Sequence, residues 1–242
     1  MAEIAKLKRS PVPGWSVLVV VVWPLMSIGT LRLTTGSWRG ITWEGFMRLT
    51  PQTIASWYGV ILGGFVTAYV FGREYTDATA RNMLTAPVRR EYFVISKLTV
   101  LLAWVFGLSV FSIAAQAGYA TVLRLDGFAW KYVADALRRG VLVTAPIAAT
   151  LPIVAWLAVV SRGYLAPMIF SAVAFTSGVL FLQAGWERWW PWAMPFAVAG
   201  LAWVPGDFTS ALTAGSWVIL AAVFAVGTAA LIVQIDFADN LE

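Results

Sequence analysis

The sequence has no cysteine and no histidine. Disulfides, thiolate nucleophiles, imidazole metal sites and histidine acid–base catalysis are therefore excluded. Charge is scarce as well. Only 12% of the 242 residues are charged, about half the usual share in soluble domains. No lysine is followed by Ser or Thr, so a Walker A loop (G-x-x-x-x-G-K-[ST]) is absent. A G-x-S-x-G nucleophile elbow is also missing. Carboxylates are rare inside the apolar runs, which leaves little for a buried proton relay.

What remains is hydrocarbon. The chain is 60% hydrophobic, with a mean hydropathy of +0.77. Its apolar runs approach 20 residues, the length that crosses a bilayer as a helix. A backbone in lipid must satisfy its own hydrogen bonds, and continuous runs favour helices over the alternating strands of a barrel. The expected fold is an all-α, polytopic membrane protein forming one transmembrane domain over residues 1–242. Six spans are expected, at about 15–31, 51–72, 92–123, 140–161, 164–183 and 215–235. The first run follows Lys6, Lys8 and Arg9 without a clear small-x-small cleavage site, and we read it as a retained span. The net charge of +5 suits anionic lipid and does not point to nucleic acid.

Between the spans lie a polar loop at 32–50, an amphiphilic connector at 124–139 and a tight turn at Arg162-Gly163. Residues 186–207 hold five tryptophans and three prolines. The apolar part of that segment, 196–204, is too short to cross and reads as an interfacial or re-entrant extracellular piece. The second span contains Gly59-Val60-Ile61-Leu62-Gly63, followed by Gly64. This is either a close-packing face or the ordinary glycine content of a membrane helix. Lys97 lies near the start of the third span, from where its ammonium could snorkel to the surface. Gln116, Gln183 and Gln234 are the strongly polar residues within or at the ends of spans, suited to bonding between helices. Basic residues divide nine to eight between the two sides, so charge bias does not orient the chain by count. The basic residues before the first span place both termini in the cytoplasm.

Residues 72–92 are the densest charged run in the sequence. They cannot lie in the lipid core. A short surface helix over 74–85 is expected, capped by Thr76 or Asp77 and stopped by Pro87. Either this is a solvated loop, or it is a shaped docking element.

Glu74…Thr79-Ala80-Arg81-Asn82-Met83-Leu84-Thr85-Ala86-Pro87-Val88-Arg89-Arg90…Lys97 resembles the corresponding region of permease subunits of type-2 ABC exporters. The resemblance is closest to the small permeases of bacteriocin-immunity, bacitracin-resistance and sodium-export systems. The family's usual Gly-Thr reads Ala78-Thr79 here, and its double Leu reads Met83-Leu84. Membership implies a cytoplasmic coupling helix between spans two and three. Glu74, Asp77, Thr79, Arg81, Asn82, Leu84, Pro87, Arg89 and Arg90 would then couple the permease to a separate cytoplasmic ATPase. No cofactor is expected in this chain, since ATP and Mg would be bound by the partner.

The resemblance also implies a second permease subunit, as a homodimer or heterodimer, in a bacterial-type plasma membrane. The substrate pathway would involve Tyr58, Thr67, Phe175, Thr176 and Gln183, and the cargo would be a hydrophobic or amphipathic compound such as an antimicrobial peptide or drug. A sodium-export permease and the substrate-binding membrane component of an ATPase-dependent importer are the alternatives. A non-transport membrane scaffold ranks behind them.

Overall fold

The computed structural model describes residues 12–35, 41–76, 90–200 and 212–237, with side chains throughout except at 13, 27, 30–35, 57, 58, 74–76, 90 and 237. The described residues form helices in this order: α1 (Val12–Thr35), α2 (Trp43–Thr53), a π-helical stretch (Ile54–Leu62), α3 (Gly63–Thr76), α4 (Arg90–Val122), α5 (Trp130–Val160), α6 (Leu165–Gln183), α7 (Met194–Ala199) and α8 (Ala214–Phe237). No strand occurs among them.

Five helical segments are long and apolar enough to cross a membrane: Trp43–Arg73, Glu91–Val122, Trp130–Val160, Leu165–Gln183 and Ala214–Asp236. The expected first span falls on α1, whose described apolar part, Gly14–Met26, is shorter than the others. The expected short surface helix at 74–85 falls largely outside the described residues.

Two boundaries differ from the sequence expectation. Residues 43–50 are helical rather than loop. Thr42 caps them by accepting from the Gly45 amide at 3.2 Å, and Arg48 pairs with Glu44 one turn back. The second span therefore continues a polar helix that begins well before Pro51. Likewise α5 begins at Trp130 and not at residue 140, so most of the amphiphilic connector is its first turns. At about 1.5 Å per residue, 31 residues outrun a hydrocarbon core of about 30 Å, leaving room for Asp135, Arg138 and Arg139 at its start. The chain links these two helix starts directly, through a bond from the Trp43 amide to the Asp126 carbonyl at 3.0 Å.

Helix α5 is the axis of the bundle, packing against α2, α3, α4, α6, α7 and α8. Glycines bring several of these backbones close. A Cβ at Gly59 would stand 2.1 Å from Ile147 Cδ1, and one at Gly227 would meet the Ile153 nitrogen at 3.0 Å. The glycine pattern in the second span is thus an internal packing face. Its close approaches fall at Gly59, and at Gly64, where a Cβ would meet Ser171 Oγ of α6 at 2.2 Å. Gly63 is buried beside them.

Polar side chains fasten the helices where lipid offers no partner. Gln116 Nε2 donates to the Phe46 carbonyl at 2.8 Å, and Tyr119 donates to the Val21 carbonyl of α1 at 3.0 Å. Thr144 donates to Ser109 at 2.8 Å. The tryptophan-rich segment folds back on α6. Trp190 stacks on Phe181 at 4.5 Å and donates to Ser177 Oγ at 3.0 Å. The six-residue α7 is almost wholly buried against the rest of the chain, and Phe196 packs edge-on against Phe175 at 5.5 Å.

Candidate functional site

The charged stretch leaves α3 and re-enters the bundle through α4, beside the turn between α5 and α6. That end of the molecule is tightly built. Gly72 packs against the turn itself, where a Cβ would lie 2.7 Å from the Gly163 carbonyl carbon and 2.8 Å from the Tyr164 nitrogen. The turn is compact because Arg162 adopts a left-handed backbone, φ 49°, directly after α5 ends. Ser161 Oγ contributes a hydrogen bond to the Gly163 carbonyl at 3.3 Å.

Lys97 fixes the other side. The expectation that it snorkels outward is corrected: it is only 1% exposed. Its ammonium donates to the Val70 carbonyl of α3 at 3.0 Å and lies over the Phe71 and Phe93 rings, at 5.1 and 4.7 Å. A cation taken out of water needs such partners. The carbonyl supplies a full hydrogen bond, and the two ring faces supply negative potential. One turn beyond Tyr69, Arg73 lies over that residue's ring at 5.7 Å. The last turns of α3 are thereby fixed to α4 by Lys97 and to the α5–α6 turn by Gly72.

Asp77, Thr79, Arg81, Asn82, Leu84, Pro87 and Arg89 lie outside the described residues. Glu74 ends up on the last turn of α3 and Arg90 on the first of α4, their side chains outside the description. The backbone thus brings both ends of the stretch to one end of the bundle.

The five pathway candidates differ in their surroundings within this chain. Tyr58 falls in the π-helical stretch, with its side chain outside the description. Thr67 is wholly buried within the chain, and its hydroxyl is spent on the Gly63 carbonyl at 2.7 Å. Phe175 is half-buried against Phe196. Thr176, bonded to the Ala172 carbonyl at 3.1 Å, and Gln183 are exposed on α6. No cluster of His, Cys, Asp or Glu fit for a metal ion occurs among the described residues.

Sequence reasoning missed the contact between Gly72 and Gly163 and the burial of Lys97. A charge inside an apolar run was the available signal for Lys97. Nothing in the sequence marks Gly72 and Gly163, far apart along the chain, as neighbours.

The comparisons agree with this architecture. The chain is 23% identical over 175 residues to the bacitracin transport permease protein BCRB of Bacillus licheniformis, an overlap covering 72% of this chain and 82% of that protein. No solved structure matches. Residues 1–178 match the family described as ABC-2 family transporter protein. That match spans most of the sequence, and the chain accordingly belongs to the ABC-2 transporter family as a multi-pass membrane permease.

Proposed function

We propose that this chain is the permease of an ATP-driven exporter that moves a hydrophobic or amphipathic compound, such as an antimicrobial peptide, out of the cell. A separate cytoplasmic ATPase binds ATP and Mg and docks on residues 74–90, and a second permease subunit completes the pathway. Both termini lie in the cytoplasm, on the same side as the α5–α6 turn. Family membership supports the permease role, and the similarity to a bacitracin transport permease favours an amphipathic antimicrobial as cargo.

The observation that carries the reading is the mounting of the charged stretch. Its base is held by Gly72 against Gly163 and by Lys97 against Val70. A force applied to the stretch therefore reaches the α5–α6 hairpin and α4 together, without slack. A partner that contacts the stretch differently with and without ATP biases the bundle between two arrangements.

The test is co-expression with a cytoplasmic ABC ATPase sought in the reading frames next to this gene. The two proteins co-purify in about equal numbers, and the reconstituted pair protects cells or loads vesicles with a peptide antibiotic only when ATP is hydrolysed. A permease that purifies alone, with no resistance change on deletion, refutes the assignment.

A further inference from the structure

At the end of the bundle opposite Gly163, the starts of α2 and α5 border an open pocket of about 250 Å³. Met47, Pro51 and Ala136 give it an apolar floor, and Arg48, Lys131 and Arg139 stand around it. Two carboxylates also line it, and both are engaged. Glu44 accepts from Arg48 and, at 3.0 Å, from the Tyr132 hydroxyl. Asp135 accepts from Arg138 at 2.9 Å and from Arg139 Nε at 2.8 Å.

The cations are less completely used. Arg139 reaches Asp135 through Nε alone, which leaves its terminal nitrogens for another acceptor. Lys131 has no carboxylate partner among the described residues, and its ammonium rests over the Tyr132 ring at 4.9 Å. The cavity thus holds surplus donors and surplus positive charge beside an apolar floor.

Its depth is marked by aromatic side chains. Trp43, Phe128 and Trp130 form an edge-to-face series with centroids 4.8 and 5.4 Å apart, and Trp130 is 75% exposed. Exposed tryptophan of this kind seats at the headgroup level. The walls are also fixed in advance, by the Tyr132–Glu44 bond and by the bond from the Trp43 amide to Asp126.

We propose that this cavity binds a phosphate group at the membrane surface. A guanidinium whose terminal nitrogens make no bond to Asp135 and an ammonium with no carboxylate partner among the described residues match phosphate oxygens, and the apolar floor accepts the first carbons attached to them. The phosphate comes either from an anionic lipid headgroup or from free phosphate. The site does not depend on the exporter reading, because binding is measured on the purified permease without its ATPase.

The full-length permease in maltoside detergent, free of phospholipid, is mixed with a photo-crosslinkable phosphatidylglycerol, and inorganic phosphate is titrated in parallel into lipid-free samples. Saturable crosslinking near 131–139 that falls about tenfold in Lys131→Gln and in Arg139→Gln, and that inorganic phosphate does not displace, identifies a lipid headgroup. Saturable phosphate binding that is lost in the same variants, and that displaces the lipid, identifies the free ion. Arg139→Lys retains the charge without the planar fork and binds at an intermediate level. Lys131 is exposed, so its replacement leaves the helices intact, which circular dichroism checks. Equal binding by the wild type and both glutamine variants, or saturable binding of neither probe, overturns the proposal.

Discussion

Lys97 donates to the carbonyl of Val70 from a position sealed between Phe71 and Phe93, and so ties α4 to the last turns of α3. Replacing it with Met keeps the bulk and removes the bond and the charge. Lys97→Met is expected to lose about 1.5–3 kcal/mol, the range for a hydrogen bond made by a charged group. Thermal unfolding in detergent measures the loss, and an unchanged midpoint would place the ammonium elsewhere.

The contact between Gly72 and Gly163 tolerates no side chain. Gly72→Val forces α3 away from the α5–α6 turn, since backbone and not a flexible side-chain end stands in the way. Overpacking of this kind costs about 1–3 kcal/mol. The more telling readout is transport per inserted molecule, which should fall even where the membrane level is normal. Gly29→Val, where a Cβ meets nothing within 4 Å, is the control that should leave both unchanged.

Arg81 tests the docking assignment directly. Arg81→Glu inverts one charge in the stretch proposed to meet the ATPase. Transport should be abolished while membrane insertion persists. Retained co-purification of the ATPase together with retained transport would defeat the assignment.

Gln116 allows two opposing effects to be weighed. Its amide nitrogen bonds Phe46, but its Oε1 is buried without a hydrogen-bond partner. Gln116→Leu loses one hydrogen bond of about 1 kcal/mol and also removes an unsatisfied acceptor, so the net change should be below about 1 kcal/mol. Gln116→Ala adds a cavity and should cost about 2–4 kcal/mol. Urea or thermal melts of the two variants separate the terms, and equal losses would contradict the account.

The helical class, the α5–α6 hairpin and the last span were legible because lipid length and hydropathy dictate them. The helix starts at Thr42 and Trp130 were not. A hydropathy window asks whether a segment suits lipid, and it stops where Glu44, Arg48, Asp135 and Arg139 begin, although the backbone hydrogen bonds continue through them. Thr42 and Gly45, a cap and its donor, carried the missing signal at the first of these starts. The packing role of Gly59 could be suspected from spacing, while its partner Ile147 could not. Contacts of that kind depend on which helices become neighbours, and no local pattern encodes this. The burial of Lys97 was misread for a related reason. Near the end of a span, a long basic side chain can reach either water or a neighbouring carbonyl, and only the neighbour decides.

The π-helical stretch from Ile54 to Leu62 sits midway along a continuous helix, between α2 and α3. Each of its bonds reaches one residue further than in an α-helix, so the stretch carries chain that ordinary winding would not need. A single-residue deletion inside an α-helix rotates everything beyond it and puts the wrong face toward its neighbours. Inside this stretch the same deletion can be taken up by rewinding to α geometry, with Gly64 and Gly72 kept opposite Ser171 and Gly163. The helix from Trp43 to Arg73 therefore has slack in length that a continuous α-helix lacks.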